Sequence, residues 1–454
     1  MHGIAPPSRF RQVYFPGGQS LPMLERLFHL KERGTTARTE ILAGVVTFLT
    51  MAYIVAVNPL ILKDAGLPVP PTVAATCLAA AVASLAMGLW ANYPLALAPG
   101  MGLNAFLTYT LVIGMKIPWQ TAMGVVILEG AIITLFVALG AREAIMRAIP
   151  ASLKTAIGVG IGLFIAFIGL KNAGIVVKDA ATFVAAGSFR SASTLVAALG
   201  LLTTAGLMAR RVPGALLLGI GATTIFAGIA TQFFHAGMVT TPDHLLAMPD
   251  FSTFAHVDLQ GAFTLKLAAI LFAFVMSDFF DAMGTIVAVG RQAGLVDAEG
   301  NVPRLNRILL VDALAAAWGG VCCASSVTSY IESASGVGEG GRTGLMPVVT
   351  GLLFLVALFF APLIAAIPAA ATAPALIVVG FLMLSQIRDL SFDRFDEAFP
   401  AFVLLLAIPL TFSIAKGIAL GFLTYALLAL LRGRRDLSPL LWVIAALFAL
   451  SLAL

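Results

Sequence analysis

The chain has 454 residues, of which 60% are hydrophobic and only 11% charged, and it carries a net charge of +5. A soluble domain carries about a quarter charged residues, whereas apolar stretches long enough to span a bilayer, about 20 residues each, recur here from Ile41 nearly to the C-terminus. This excludes a soluble globular fold and predicts an all-α polytopic membrane protein; the positive charge sits mostly in loops and argues nothing for nucleic acid.

In chain order, the first forty residues are polar and basic, without the apolar core or small-residue cleavage site of a signal peptide. Within them Met23, Leu24, Leu27 and Phe28 fall at helical spacing, which suits a short interfacial helix; before Pro22 a disordered tail is an equal alternative. Spans are predicted near 41–62, 71–90, 94–112, 119–140, 151–170, 192–209, 213–234, 264–290, 306–323, 324–340, 344–363, 368–386, 398–413 and 415–431. The closing segment "LSPLLWVIAALFALSLAL" leaves three possibilities open: it lies in the interface, packs on the bundle, or crosses as an extra helix.

Basic residues orient these spans. With the N-terminus in the cytoplasm, the cytoplasmic connections hold Arg142 and Arg147, Arg210 and Arg211, and Arg291, Arg304 and Arg307. They continue with Arg342, Arg388 and Arg394, and end with Arg432, Arg434 and Arg435. The opposite-side loop from His235 to Gly261 has no Lys or Arg, as the positive-inside rule requires. The connection with Lys171, Lys178 and Arg190 fits this alternation poorly.

Two stretches resemble each other: "IPASLKTAIGVGIGLF" opens the fifth span and "IPAAATAPALIVVGFL" the twelfth. Seven is an odd number, so a true repeat would be inverted across the membrane; chance similarity of Ala/Gly/Ile-rich helices is the alternative. Inverted repeats place binding sites near the midplane, at broken helices in corresponding positions. The third span, "NYPLALAPGMGLNAFL", with Pro94, Pro99, Gly100 and Gly102, and the tenth, "SSVTSYIESASGVGEGGRTG", are both irregular. Short extended segments followed by half-helices are expected there, because broken backbone survives only where protein or a cavity buries it.

A carboxylate at bilayer depth costs roughly 2.5–3.5 kcal/mol or more, yet "FAFVMSDFFDAMGTIVAVG" carries Asp278 and Asp281. With Thr285 they are spaced three and four apart, on one helix face, which should look at a cavity. Glu332 in the tenth span and Asn104 in the third complete a polar pocket at mid-depth. Asp278 taken alone is also explained as a cap or a partner for nearby hydroxyls. Asp312 reads as a helix-packing or interface residue near a cytoplasmic end, and Arg342 as a mouth residue paired with an acid such as Glu339. Phe279, Phe280, Phe106 and Tyr330 lie beside the acids, either to stack on a flat ligand or simply to pack. Cys322, Cys323 and Cys77 read as buried small side chains. Nothing resembles a nucleophile–base pair, a phosphate-binding loop or a metal-ligand cluster, so no enzyme, cofactor or metal is expected. Ionised, an intramembrane carboxylate accepts paired N–H donors from a heterocycle; protonated, it is neutral, as in proton relays of transporters.

Five stretches then carry a specific resemblance: "TFLTMAYIVAVNPLIL" at 47–62, "LAPGMGLNAF" at 97–106, "GLKNAGIVV" at 169–177, "DFFDAMGT" at 278–285 and "SYIESASGVGEGGRTGL" at 329–345. The chain resembles the nucleobase–ascorbate/nucleobase–cation symporter superfamily in its AzgA-like purine permease branch, from Met23 to about Leu431. The resemblance implies fourteen transmembrane segments in two inverted seven-segment repeats, a uracil-transporter-like fold, with extended stretches in segments 3 and 10. It implies a cytoplasmic tail (1–38), a core domain of segments 1–4 (39–140) and 8–11 (263–363), and a gate domain of segments 5–7 (141–235) and 12–14 (364–431). An external loop (236–262) and a C-terminal basic and hydrophobic stretch (432–454) complete it.

The function implied is proton-coupled import of adenine, guanine or hypoxanthine across the plasma membrane. A uracil/xanthine or anion carrier of the same fold is the alternative. Asp281 and Glu332 match superfamily positions that hold the base, Asn104 matches a polar position of segment 3, and Asp278 is an acid particular to the branch. Thr285, Phe279 and Tyr330 join the substrate-binding expectations, and Asp281, Glu332 and Asp278 the proton-coupling ones. Relatives in the superfamily are often dimers, so the resemblance implies a homodimer as a partner, along with purine base, protons and the lipid bilayer.

Overall fold

The computed structural model describes residues 22–140, 150–234, 237–239, 242, 244–297, 301–433 and 439–453. Expectations for residues 1–21, for Arg142, Arg147, Arg434 and Arg435, and for parts of the 236–261 and 291–305 connections lie outside the described residues. Eleven helices among them are long and apolar enough to cross a membrane.

Helix α1 (Pro22–Phe28) buries Phe28 beside Leu345. The first predicted span is broken into α2 (Ala37–Met51) and α3 (Ile54–Asp64). Helix α4 (Val69–Ala86) has prolines in its first turn, where a missing N–H costs nothing, and ends in a π turn over Met87–Ala91. Strand β1 (Leu97–Pro99) precedes α5 (Met101–Ala105), which continues as a π-helix to Gly114. Then come α6 (Trp119–Ala138), α7 (Ala151–Asn172) and a hairpin of β2 (Val176–Asp179) and β3 (Phe183–Ala186) that the sequence pattern did not foretell. They are followed by α8 (Ala192–Ala209), α9 (Ala215–Phe234), α10 (Leu259–Ala262) and α11 (Leu265–Gln292). Helix α12 (Leu305–Cys322) leads into β4 (Val327–Ser329) and the short α13 (Ser333–Gly338). The chain closes with α14 (Leu345–Ala357), α15 (Ala361–Ala365), α16 (Ala369–Leu384), α17 (Phe395–Thr411), α18 (Ile414–Leu431) and α19 (Pro439–Ala453). The closing segment forms α19, whose Phe448 meets Phe272 of α11 and Phe422 of α18.

The helices pack in two groups. One gathers α2, α3, α4, α6, α11, α12, α13 and α14; the other gathers α7, α8, α9, α16, α17 and α18. Small residues set the closest approaches, as expected where lipid supplies no hydrophobic drive between helices. A methyl group added at Gly320 of α12 would lie 2.7 Å from Ile127 of α6, and one at Gly162 of α7 would lie 2.9 Å from the Gly380 carbonyl of α16.

The two irregular segments meet. Strands β1 and β4 pair antiparallel, with Leu97 opposite Ser329, Ala98 opposite Thr328 and Pro99 opposite Val327. Side chains finish what three-residue strands cannot. The Ser84 hydroxyl both donates to the Leu97 carbonyl and accepts from its N–H, each at 3.0 Å, and the Ala96 N–H donates to the Ser333 hydroxyl at 3.0 Å. Asn58 donates to Thr76 at 2.8 Å and to the Ala324 carbonyl at 3.0 Å, steadying the approach to β4. Buried backbone polar groups left unpaired would be costly at this depth.

Candidate functional site

A cavity of about 1100 Å³ lies between the two helix groups, at the point where β1 and β4 hand over to α5 and α13. Thr50, Tyr53, Gly100, Met101, Phe280, Asp281, Thr285, Thr328, Tyr330 and Glu332 line it from the first group; Lys154, Thr155, Val379, Met383 and Gln386 line it from the second. Arg211, Arg291, Glu339 and Asp389, all at or near helix ends, line it toward one end. Asp281 is ten residues from Arg291, about 15 Å along α11, so Asp281 is well separated from the mixed set of charges at the helix ends.

Glu332 sits at the N-terminus of α13, where its Oε1 accepts a 2.6 Å hydrogen bond from the Tyr53 hydroxyl. The Tyr330 hydroxyl donates to the Pro99 carbonyl at 2.6 Å, tying the site to β1. The Asp281 carboxylate makes no hydrogen bond or ion pair among the described residues and stands available to a ligand. The Lys154 ammonium lies 5.4 Å over the Phe280 ring, a cation–π contact that crosses from one group to the other.

The structure therefore brings together Asp281, Thr285, Tyr330 and Glu332, and sets three other expected residues back. Phe279 is 2% exposed and touches the cavity only through Phe280, its T-shaped neighbour at 5.7 Å. It is two residues, about 200° around the helix, from Asp281, so Phe280 takes the lining position instead. Asn104 is fully buried, outside the lining, with neither amide atom partnered. Asp278 is also fully enclosed: three residues amount to about 60° off the Asp281 direction, enough to turn it behind the cavity.

Two expectations about charged residues are corrected. Asp312 lies inside α12 rather than close to its end, and of its two readings helix packing is the one observed: it is 3% exposed and accepts a 2.6 Å hydrogen bond from Ser329 of β4. The Arg342 guanidinium is not paired with Glu339; it donates to the Val337 and Gly341 carbonyls at 2.7 Å each. The acid near Arg342 is Glu40, which accepts from the Arg342 N–H at 2.7 Å and the Thr343 N–H at 3.3 Å.

Sequence reasoning missed Tyr53 and Glu129. Tyr53, in the first matching stretch, is the direct partner of Glu332. Glu129 is the lone acid of α6, fully buried beside Asp278, and an acid in a 20-residue apolar span was the available signal.

The sequence model of a permease family matches residues 38–420. The chain belongs to that family. A permease of Methanocaldococcus jannaschii is 46% identical over 95% of this chain and 98% of its own length. The adenine permease AdeP of Escherichia coli is 44% identical over 95% and 96%, and the guanine/hypoxanthine permease PbuO of Bacillus subtilis is 42% identical over 94% and 99%. Among solved structures, the transmembrane domain of the cyanobacterial bicarbonate transporter BicA superposes with a TM-score of 0.60 at 16% identity, over 83% of this chain and 96% of that one. At that identity the likeness speaks to fold alone. Family and apolar spans together make this permease an integral multi-pass membrane protein.

Proposed function

We propose that this permease imports purine nucleobases together with protons by alternating access. The observation that carries the reading is the pair Asp281 and Glu332, two carboxylates on different elements facing one cavity. A purine presents ring N–H and amino donors along its edges, and charge-assisted hydrogen bonds of this kind are worth about 1.5–3 kcal/mol. Thr285 and Tyr330 border the same space, Asn104 and Phe279 support it from behind, and Asp278 joins Asp281 and Glu332 in handling the proton. Relatives named for adenine and for guanine/hypoxanthine support a purine. Against an anion carrier stands the pair of carboxylates, Asp281 and Glu332, that faces the cavity beside the starts of α5 and α13.

In this reading the first helix group is the core domain and the second the gate, and the separateness of their packing supports that division. The pairing of β1 with β4 supports two inverted seven-segment halves crossing in fourteen segments, three of them too short or too broken to count among the eleven long apolar helices. The N-terminus and the Arg211–Arg291 mouth face the cytoplasm across the plasma membrane, and a homodimer is the assembly that the family resemblance suggests. Single cysteines introduced near 30 and at Phe251 test the orientation. An impermeant thiol reagent outside intact cells should label position 251 and spare position 30, and the reverse pattern would overturn both the topology and the repeat.

The functional test is competition against labelled hypoxanthine uptake in cells lacking other permeases. Unlabelled adenine, guanine or hypoxanthine should compete, nucleosides should not because ribose collides with the cavity wall, and uracil should compete weakly. A protonophore should abolish accumulation, which a passive channel would not show. Strong competition by uracil with none by any purine would defeat this reading.

A further inference from the structure

Behind the cavity, on the far side of β4, lies a second group of acids. Glu129 of α6 and Asp278 of α11 are both fully buried, Asp312 of α12 is 3% exposed, and none of the three takes part in an ion pair among the described residues. All four carboxyl oxygens of Glu129 and Asp278 lack a hydrogen-bond partner. Glu129 and Asp278 face each other, and Asp312 lies near Asp278 and Asp281. An independent feature points inward as well. The Ser326 hydroxyl faces Glu129 and the Thr328 hydroxyl faces Asp278, 0% and 1% exposed, each at the edge of hydrogen-bond reach and neither held by any other group.

Three bare carboxylates cannot share an enclosed apolar site, because desolvation and mutual repulsion both disfavour the charged forms. A metal ion or protons must neutralise them. No group of three His, Cys, Asp or Glu among the described residues is placed to hold a metal ion, and protons are the neutralising species taken up below.

From this geometry we propose that Glu129, with Asp278 and Asp312, forms an enclosed proton-binding group behind the substrate cavity. It takes up a proton at a carboxylate oxygen when base loads and releases it when base leaves. Strand β4 is the link. Thr328 and Ser329 line the cavity, while Thr328 also stands beside Asp278 and the Ser329 hydroxyl donates to Asp312. A base drawn against the strand changes what those hydroxyls can offer the acids; Asp278 shares α11 with Asp281, and Glu129 and Asp312 sit on α6 and α12 of the same helix group. The inference rests on the transport reading above, and its test separates the two.

The test uses the full-length protein in liposomes. Glu129→Gln should bind adenine within about threefold of wild type and exchange labelled for unlabelled adenine across the membrane. It should lose proton-driven accumulation, the inside-to-outside ratio falling to about one, and lose the pH dependence of uptake; Glu129→Asp should restore part of both. Accumulation by Glu129→Gln with unchanged pH dependence overturns the proposal. So does loss of binding and exchange in a folded Glu129→Gln protein, which would make Glu129 structural. Should Glu129→Gln fail to fold, infrared spectra of the wild-type protein decide: protonated-carboxyl bands should persist at neutral pH, change on adding adenine, and move in Glu129→Asp. Their absence at neutral pH overturns the proposal. If the wild-type protein exchanges no purine at all, the transport reading fails, and the neutral-pH carboxyl bands are still there to be measured.

Discussion

Asp281→Asn is expected to nearly abolish concentrative uptake of purines by a protein that is expressed and inserted normally. The carboxylate faces the cavity with no partner among the described residues, so little in the fold depends on its charge. The amide keeps its size but turns an NH2 toward a base that needs an acceptor, and it cannot carry a proton. Losing one charge-assisted hydrogen bond costs about 1.5–3 kcal/mol, roughly 10–100-fold in affinity, and the lost proton step removes accumulation besides. Asp278→Asn should spare base binding, because that side chain is set behind the cavity wall, and act on the pH dependence of uptake instead. Uptake measured against a gradient, with membrane-inserted protein quantified in parallel, decides the matter. An Asp281→Asn protein that accumulated purines with unchanged pH dependence would remove Asp281 from both roles.

Glu332→Gln should be comparably severe for a different reason. Glu332 is held by Tyr53 at 2.6 Å, so the substitution turns a charge-assisted hydrogen bond into a neutral one and loosens the carboxyl group that meets the base. Tyr53→Phe removes only the holder and should weaken base binding about tenfold while leaving accumulation measurable. Since Asp281 and Glu332 face one ligand, their effects should not add: the double variant should be scarcely worse than either single one, as contacts sharing a partner are coupled. Binding isotherms for the four proteins of the cycle would show it, and simple additivity would mean the two acids serve separate events.

Legibility in the sequence followed how local each feature is. The span 192–209 was read to the residue, because an apolar run there is bounded by the helix-capping Ser191 and by Arg210 and Arg211. The broken third and tenth segments were legible from Pro94, Pro99, Gly100 and the Ser/Thr/Gly density before Gly344. Their pairing with each other was not, since no local pattern specifies which extended segment will supply a partner. The carboxylates at 281 and 332 announced themselves by cost. Glu129 carries the same cost and was passed over because hydropathy averages a single acid into its span. Phe279 shows the limit of periodicity: spacing says which residues share a face, but a 60–100° turn decides between cavity and interior, and that turn is set by how α11 leans on α6.

The antiparallel contact between β1 and β4 also bears on how the chain is made. The Tyr330 hydroxyl and the Pro99 carbonyl that it caps are 231 positions apart. During synthesis, Leu97–Pro99 therefore enters the membrane with its backbone groups exposed and must wait for more than half of the remaining chain before its partner emerges. Unpaired backbone is intolerable in hydrocarbon, so until then this stretch has to be held by Ser84, by water in the insertion machinery, or by a chaperone. Closing so large a loop is a late, slow step. A truncated product ending before Val327 would retain its first helices yet hold an open, unsatisfied edge at its centre, a built-in mark by which quality control can tell an unfinished permease from a finished one.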